Sequence, residues 1–184
     1  RDGSQISNIT SDWLSNTNPG YCAYDNDSGY VDDYGYLYNW YAAGNEQICP
    51  EGWHIPSNED WETLGYYLGG DYPEDGFWSG GGVLKETGTT YWNEPNEGAT
   101  NSSGFSSRGS GYRSGSGGDF RHLKHQGAYW STTMDGYAGV WALEADDDFL
   151  HAWSDELDTG YGLRCIEDDG TQILGCTDSL ADNY

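Results

Sequence analysis

The sequence predicts an α+β domain in which one or two short helices pack on small twisted antiparallel sheets with long ordered loops. Three observations support this fold class. Residues 57–70 carry a complete amphipathic helix signature. Short runs of alternating apolar and polar residues follow residue 122 and are typical of strands with one buried face. The 28 glycines, with few long periodic runs, indicate many turns and short strands.

The predicted helix has a start signal and a stop signal. Ser57 is a good N-cap, and Asp60 is placed to reach back to it, so the helix should begin at about Asn58. Gly69 and Gly70 then supply a left-handed stop. The apolar face, expected to be almost fully buried, consists of Trp61, Leu64 and Leu68. The acidic residues expected to face water are Glu59, Asp60 and Glu62.

The remaining elements are shorter. Residues 1–20 read as an extended arm, 53–55 as a short strand and 36–43 as a second short helix. Alternation predicts an antiparallel sheet from the runs 128–133, 139–145, 149–153 and 160–167. Because only 35% of the residues are hydrophobic and 16% are aromatic, the core must be built largely from tryptophan and tyrosine.

The net charge limits the partners. Seven basic residues against 31 acidic ones give a formal charge of −24, which repels phosphate backbones and anionic lipids. Nucleic acid is therefore excluded as a partner. No apolar stretch is long enough to span a membrane, so no membrane insertion is expected. Cations, a saline medium or a cationic partner suit this surface, and the alternative is a surface that serves solubility alone.

The cysteines and histidines carry no catalytic or zinc motif. The four cysteines, Cys22, Cys49, Cys165 and Cys176, lack a CxxC spacing, so disulfides and an extracytoplasmic location are favoured. Four cysteines allow three pairings. The four histidines accompany no recognisable nucleophile motif, so structural roles are expected for them and enzymatic activity is not.

One acidic loop is a candidate calcium site. The run at 25–29 reads Asp-x-Asp-x-Gly, as in the first half of a calcium loop, and the expected ligands are Asp25, Asp27, Asp32 and Asp33. No glutamate closes the loop at the twelfth position. A solvated turn capped by an aspartate is the alternative.

Several motifs in order carry a family resemblance: YGYLYNWYAA, CPEGWHIPSNEDWETL, GGVLKETGTTYWNEPNEGATNSSGFSSRGSGYR, AYWSTT and GYGLRCIED. Together they resemble the Fibrobacter succinogenes major paralogous domain, a family of bacterial secreted and surface modules, over roughly residues 2–168. The resemblance implies a fold akin to the C-type-lectin-like and formylglycine-generating-enzyme-like group. It implies no catalytic activity.

The resemblance also implies a disulfide and two chain segments. It pairs Cys49 with Cys165, which leaves Cys22 with Cys176 by elimination. Residues 1–168 are expected to form the domain, without the first strand that family members usually have. Either that strand is lost or another chain supplies it. Residues 169–184 resemble the start of a short Cys- and Asp-rich repeat.

A second candidate site rests on similarity to calcium-dependent lectins. Glu94-Pro95-Asn96 is similar to their sugar-selecting triplet, and Trp92-Asn93 stands just upstream. Calcium would bind at residues 25–33 or 94–101. Sugar rings would stack on exposed aromatic faces, for which the candidates are Trp92, Trp130, Trp78 and Tyr129.

These observations lead to two functional expectations. The first is a non-enzymatic extracellular module of the bacterial surface, acting as an adhesin or as a structural subunit of an extracellular fibre. Its partners would be copies of itself or other surface proteins. The alternative is a lectin-like domain that binds carbohydrate with Ca²⁺ as its cofactor.

Overall fold

The computed structural model describes residues 6–11, 13–14, 16–45, 48–69 and 77–168. The strands are β1 Ser7–Asn8, β2 Gly20–Cys22, β3 Leu37–Tyr38, β4 Trp53–His54, β5 Phe77–Ser79, β6 Ser110–Arg113, β7 Phe120–Leu123, β8 Gln126–Asp135, β9 Tyr137–Glu144, β10 Phe149–Asp155 and β11 Ile166–Glu167. The α-helices are α1 Val31–Tyr34, α2 Trp40–Ala43 and α3 Asn58–Tyr67, and single 3₁₀ turns occur at Tyr24–Asn26, Ser28–Tyr30 and Gly81–Leu84. The fold is α+β and mostly sheet.

The largest sheet has six strands in the order β5-β10-β9-β8-β6-β7. Its centre is the antiparallel series β8, β9 and β10, which confirms the predicted antiparallel sheet. The prediction of a single buried face was wrong, because residues 126–131 of β8 and 138–143 of β9 are all buried, so that both faces of these strands are covered. β6 joins β8 in the parallel sense. Two smaller sheets, β1-β2-β3 and β11-β4, complete the described part. Within residues 160–167, only Ile166–Glu167 forms a named strand, while residues 160–162 make single bridges to other segments.

The β8–β9 hairpin extends beyond the body of the sheet. Its turn is at Gly136, where φ is +78° and no other atom lies within 4 Å of where a Cβ would stand. Residues 132–137 are exposed, including Met134 and Tyr137. The tip of the hairpin therefore lies outside the core.

The core is aromatic, as the composition required. The Trp61 ring stacks on Trp141 at 5.9 Å and on Tyr129 at 6.0 Å between ring centres. Trp78 packs on Trp141 at 4.8 Å. A second buried cluster surrounds Trp130 on the central strands. Burial of these large rings supplies most of the apolar contact that the few aliphatic residues cannot.

Helix α3 begins where the sequence predicted. The Ser57 hydroxyl accepts a hydrogen bond from the Asp60 backbone N–H, and the Asp60 carboxylate accepts one from the Ser57 backbone N–H. Trp61 is 3% exposed, as expected. Leu64 and Leu68 are only partly buried at the edge of the core, and Asp60 and Glu62 are partly buried too, so the predicted contrast between the two faces was too sharp.

The predicted helix over residues 36–43 is shorter than expected. Leu37 and Tyr38 pair with β2 as strand β3, and the helix begins only after Asn39. The Asn39 side chain caps α2 by accepting from the Ala42 backbone N–H, and it also accepts from the Gly20 backbone N–H. One buried amide therefore fixes both the sheet and the helix start.

The Cys49–Cys165 disulfide is present, which confirms the pairing implied by the family resemblance. It joins residues 116 positions apart in the sequence. Cys22 is a free, buried cysteine in β2. Its expected partner, Cys176, and the whole of the tail 169–184 lie outside the described residues. No helix in the described ranges is long and apolar enough to cross a membrane.

Candidate functional site

The acidic loop 25–33 does not gather its carboxylates. Asp27 accepts a hydrogen bond from the Gly29 backbone N–H at 2.8 Å, which is the solvated turn that was the alternative interpretation. The four aspartates, Asp25, Asp27, Asp32 and Asp33, are all exposed. Within the described ranges, none of the groups of three side chains that could hold a metal includes any of them. The predicted calcium site is therefore not assembled here.

The predicted sugar-stacking rings are core residues. Trp92 is 1% exposed and donates from its indole N–H to the Ser107 carbonyl oxygen at 2.9 Å. Trp130 is fully buried and donates to the Tyr38 carbonyl oxygen at 2.7 Å. Trp78 and Tyr129 are buried as well. The prediction of exposed stacking faces was wrong for these four residues, because all four rings are buried in the aromatic core.

The lectin-like triplet is a structural loop. The Asn96 side chain is buried, and its amide N–H₂ donates to the carbonyl oxygens of Glu86 and Gly88 at 2.9 and 2.8 Å. Asn93 and Glu94 are exposed, and the Glu94–Pro95 peptide bond is cis. Asn96 therefore holds the loop closed from inside.

This loop lies against two connections, the one between β7 and β8 and the one between β9 and β10. The Asn93 backbone N–H donates to the Lys124 carbonyl oxygen at 2.5 Å, and the Glu97 backbone N–H donates to the Ala145 carbonyl oxygen at 2.9 Å. Ala145 in turn donates to the His125 carbonyl oxygen at 2.8 Å. The loop 93–97 thus borders a cluster of ionisable side chains that the sequence did not reveal.

We call this the acidic turn cluster: His125, Glu144, Asp146, Asp147 and His151. Two overlapping triplets, His125–Glu144–Asp146 and Glu144–Asp147–His151, each place three ligand atoms within 4.8 Å of one another. The His125 Nε2 atom lies 4.0 Å from a Glu144 carboxylate oxygen and 3.9 Å from one of Asp146. The His151 Nε2 atom is hydrogen-bonded to Asp147 at 2.9 Å.

A buried lysine lies beneath this turn. Lys85 is 0% exposed, and its ammonium donates to the carbonyl oxygens of Glu144 and Asp147 at 2.8 and 2.7 Å. Burial lowers the pKa of Lys85, and the neighbouring carboxylates of Asp146–Asp148 and Glu97 only partly oppose this shift. Lys85 thus stabilises the turn through its backbone carbonyls.

A buried amide holds one of the cluster carboxylates. Gln126 is 5% exposed, and its side-chain N–H₂ donates to one oxygen of Glu144 at 2.9 Å. The two residues are directly opposite each other on β8 and β9. The amide oxygen of Gln126 is buried and has no hydrogen-bond partner among the described residues. The other oxygen of Glu144 faces His125.

A second concave site lies on another face. We call it the tyrosine cleft, a depression of about 600 Å³ whose principal side chains are Tyr34, Tyr36, Tyr38, Tyr129, Arg108 and Arg164. This volume is within the range of small-ligand sites. Tyr36 is 36% exposed and packs edge-on against Tyr21. Burial, and then the nearby hydroxyls of Tyr36 and Tyr21, raise the pKa of Tyr38, which keeps its hydroxyl protonated.

The two arginines of the cleft differ in how fully they are engaged. Arg108 pairs with Glu86 at 2.6 Å, donates to the Asp33 carbonyl oxygen and lies 3.7 Å from the centre of the Tyr91 ring. Arg164 lies over Phe105, and its one hydrogen bond within the described residues is 3.4 Å long, to the Ser106 carbonyl oxygen. Arg164 therefore retains donors for another group.

The family model described as the Fibrobacter succinogenes major domain matches residues 1–167. The chain belongs to this family. No curated protein and no solved structure matches the chain. In this Fibrobacter succinogenes major domain, sequence reasoning missed both sites, since each is assembled from segments far apart in the chain. The only sequence signal for the acidic turn cluster was the acidic run 144–148 at the end of the predicted strand 139–145, with His125 ahead of the predicted strand 128–133.

Proposed function

We propose that this domain is a non-enzymatic extracellular module of the bacterial surface, and that it acts as a structural subunit of an extracellular assembly. Its partner is a second copy of the chain, and its contact site is the tyrosine cleft. We further propose that its α+β fold is C-type-lectin-like. The observation that carries the functional proposal is the presence of Arg164, with unused donors, in an aromatic cleft of a chain with a charge of −24.

Charge complementarity favours a copy of the chain as the occupant. Two of the seven basic residues, Arg108 and Arg164, line the cleft together with the exposed Asp32 and Asp33. Because Arg108 is already paired with Glu86, Arg164 is the cation of the cleft that remains for a partner. An exposed carboxylate of a second copy can pair with the Arg164 guanidinium, for which a planar two-donor geometry is well suited. Repulsion between the other acidic faces then limits association to this contact.

The residue types in the cleft are those that interfaces favour. Tyrosine and arginine are enriched where proteins bind one another, because they offer large rigid contact areas together with polar ends. Tyr34, Tyr36 and Tyr38 provide such a surface beside the guanidinium of Arg164. A cleft on one copy that receives a different surface of the next is a head-to-tail contact, and repeated head-to-tail contacts generate fibres.

Two of the histidines pair with carboxylates. Within the described residues, no histidine side chain is hydrogen-bonded to a serine or cysteine side chain, as a nucleophile and its base would be. His54 is hydrogen-bonded to Asp168, and His151 to Asp147. These are pairs of a histidine with a carboxylate.

Charge reversal in the cleft tests the proposal. Arg164→Glu should abolish self-association of the full chain in sedimentation and electron microscopy, and Arg164→Gln should weaken it. The matched control is Arg121→Glu, which reverses an exposed arginine outside the cleft and should leave association unchanged. Circular dichroism of each variant confirms that the fold is retained.

Two results would contradict this assignment. One is a wild-type chain that stays monomeric at high concentration in both calcium and high salt. The other is an Arg121→Glu variant that loses association as completely as Arg164→Glu, because the effect would then follow net charge and not the cleft.

Carbohydrate binding in the same cleft is the second candidate. The observation that favours it is the half-exposed ring of Tyr36 at the wall of a cleft large enough for one or two sugar rings. Glycan-array binding that is lost in Tyr36→Ala and kept in Tyr137→Ala, an exposed tyrosine at the hairpin tip, would favour it. Repeating the array with a chelator tests the expected dependence on Ca²⁺.

A further inference from the structure

We propose that His125, Glu144 and Asp146 form a binding site for a divalent first-row transition metal ion, of which Zn²⁺ is the representative. The three side chains converge because of strand register. Gln126 and Glu144 are partners across β8 and β9, and the Ala145 backbone N–H donates to the His125 carbonyl oxygen. This pairing places His125 beside Ala145, so that the His125 ring lies near the carboxylates of both Glu144 and Asp146.

The spacing of the three ligand atoms suits a metal ion better than a direct hydrogen bond. His125 Nε2 lies 4.0 and 3.9 Å from the nearest oxygens of Glu144 and Asp146, beyond hydrogen-bonding distance. Ligand atoms around a tetrahedral zinc ion are about 3.3–3.5 Å apart, since each bond is about 2.0–2.2 Å. Small side-chain rotations close that difference.

The second triplet differs in this respect. His151 and Asp147 are already hydrogen-bonded at 2.9 Å, so that pair is satisfied without an ion. We therefore assign the site to the triplet that includes His125. Asp146, whose side chain is 62% exposed, gives an ion access from solvent.

A buried amide fixes one of the ligating carboxylates. Gln126 is only 5% exposed, and its side-chain N–H₂ donates a hydrogen bond to Glu144. Its amide oxygen has no hydrogen-bond partner in the described part of the chain. A side chain that fixes a ligating carboxylate from behind is a regular feature of metal sites. Gln126 leaves the Glu144 oxygen that faces His125 available to an ion.

Lys85 does not neutralise these carboxylates by direct pairing. Its ammonium is hydrogen-bonded to the carbonyl oxygens of Glu144 and Asp147, and no ion pair within 4 Å joins it to a carboxylate of the described residues. The side-chain oxygens of Glu144 and Asp146 thus keep their coordinating capacity.

The ligand set selects the class of metal. One imidazole nitrogen with two carboxylate oxygens matches Zn²⁺ and its neighbours in the first transition row, whereas Ca²⁺ takes oxygen ligands only. Three protein ligands leave a coordination position for water or for a group from a partner. The site is separate from the tyrosine cleft and does not depend on the proposed function.

Calorimetry with metal-free full chain tests the site. Titration with Zn²⁺ should show one ion per chain and a raised unfolding temperature, while Ca²⁺ at the same concentration should give only weak binding to the acidic surface. His125→Gln and Glu144→Gln should each lower the Zn²⁺ affinity at least about 100-fold, and Gln126→Leu about 10- to 100-fold.

His54→Gln is the matched control, because His54 also lies near two carboxylates, those of Asp60 and Asp168, but belongs to neither triplet. It should bind Zn²⁺ as the wild type does. Nitrogen NMR of the wild-type histidine rings provides a test without mutation: Zn²⁺ should shift the Nε2 resonance of His125 first. Equal losses in His54→Gln and His125→Gln, or a titration that leaves the His125 resonance in place, would overturn the assignment.

Discussion

The guanidinium of Arg113 lies 4.6 Å from the centre of the Trp13 ring. Arg113 is 5% exposed and donates to the carbonyl oxygens of Ile9 and Thr10 at 2.9 and 3.2 Å. One buried side chain thus fastens the N-terminal segment to β6. The predicted extended arm is held on the core by a cation, in addition to its apolar residues.

Arg113→Lys should destabilise the domain by roughly 2–4 kcal/mol, because lysine cannot supply the same fan of donors to buried carbonyl groups. Denaturant unfolding measures the change, and hydrogen exchange at residues 7–11 should rise with it. Arg121→Lys, at an exposed arginine, should change the free energy of unfolding by less than about 0.5 kcal/mol. Equal effects of the two substitutions would refute the anchoring role.

Trp61→Ala should cost about 3–5 kcal/mol, since the ring is 3% exposed and stacks on both Trp141 and Tyr129. The control is Trp53→Ala, at a tryptophan that is 41% exposed, which should cost less than about 1 kcal/mol. Thermal or denaturant unfolding distinguishes them. A small effect at Trp61 would show that α3 does not pack through this ring.

Acid should weaken the start of helix α3. Burial alone would raise the pKa of Asp60, but hydrogen bonds from the Ser57 side chain and backbone, together with nearby His54, outweigh it and lower the pKa. A carboxyl group whose pKa is lowered by folding stabilises the fold above the unfolded pKa, near 4, and this contribution is lost as the pH falls through the folded pKa.

Asp60→Asn should therefore lower the unfolding temperature at pH 6 and reduce its further decrease between pH 5 and 2. Calorimetric scans across that range measure both effects. Glu59→Gln, at an exposed position in the same helical turn, is the control. An Asp60→Asn variant with the full acid sensitivity of the wild type would count against the cap.

Reduction of the Cys49–Cys165 disulfide should lower stability by about 4–5 kcal/mol, because it opens a loop of more than a hundred residues. The double substitution Cys49→Ala/Cys165→Ala should reproduce the effect. Cys22→Ala, which removes the buried free thiol, should cost far less and should leave the sensitivity to reductant intact. A wild-type chain whose unfolding temperature is unchanged by reductant would contradict this.

The parts of the fold that sequence predicted are those encoded locally. Helix α3 has its cap, its first turn and its buried Trp61 within a few residues, and the apolar runs of β8 to β10 marked them as strands. The length of helix α2 was overestimated, because Leu37 and Tyr38 pair with β2 as a strand and do not join the helix. Tertiary contacts decided that element.

The two candidate sites could not be predicted from local sequence patterns. His125 and Glu144 meet only because of the β8–β9 register, and Arg164 and Tyr36, which line one cleft, are far apart in the sequence. The exposed aromatic faces were predicted wrongly at Trp92 and Trp130 for a related reason: nothing in the local sequence distinguishes a tryptophan that fills a core from one that lines a groove.

The hairpin turn at Gly136 makes the domain easy to tag. Residues 134–137 are exposed and lie beyond the hydrogen bonds that Thr132 and Thr133 make with Pro56 and Asn58. A Cβ at Gly136 would meet no other atom within 4 Å. Exposed loop tips tolerate added sequence well. A fluorophore or an affinity peptide inserted beside Gly136 would therefore label the domain while leaving the buried rings of β8 and β9 in register.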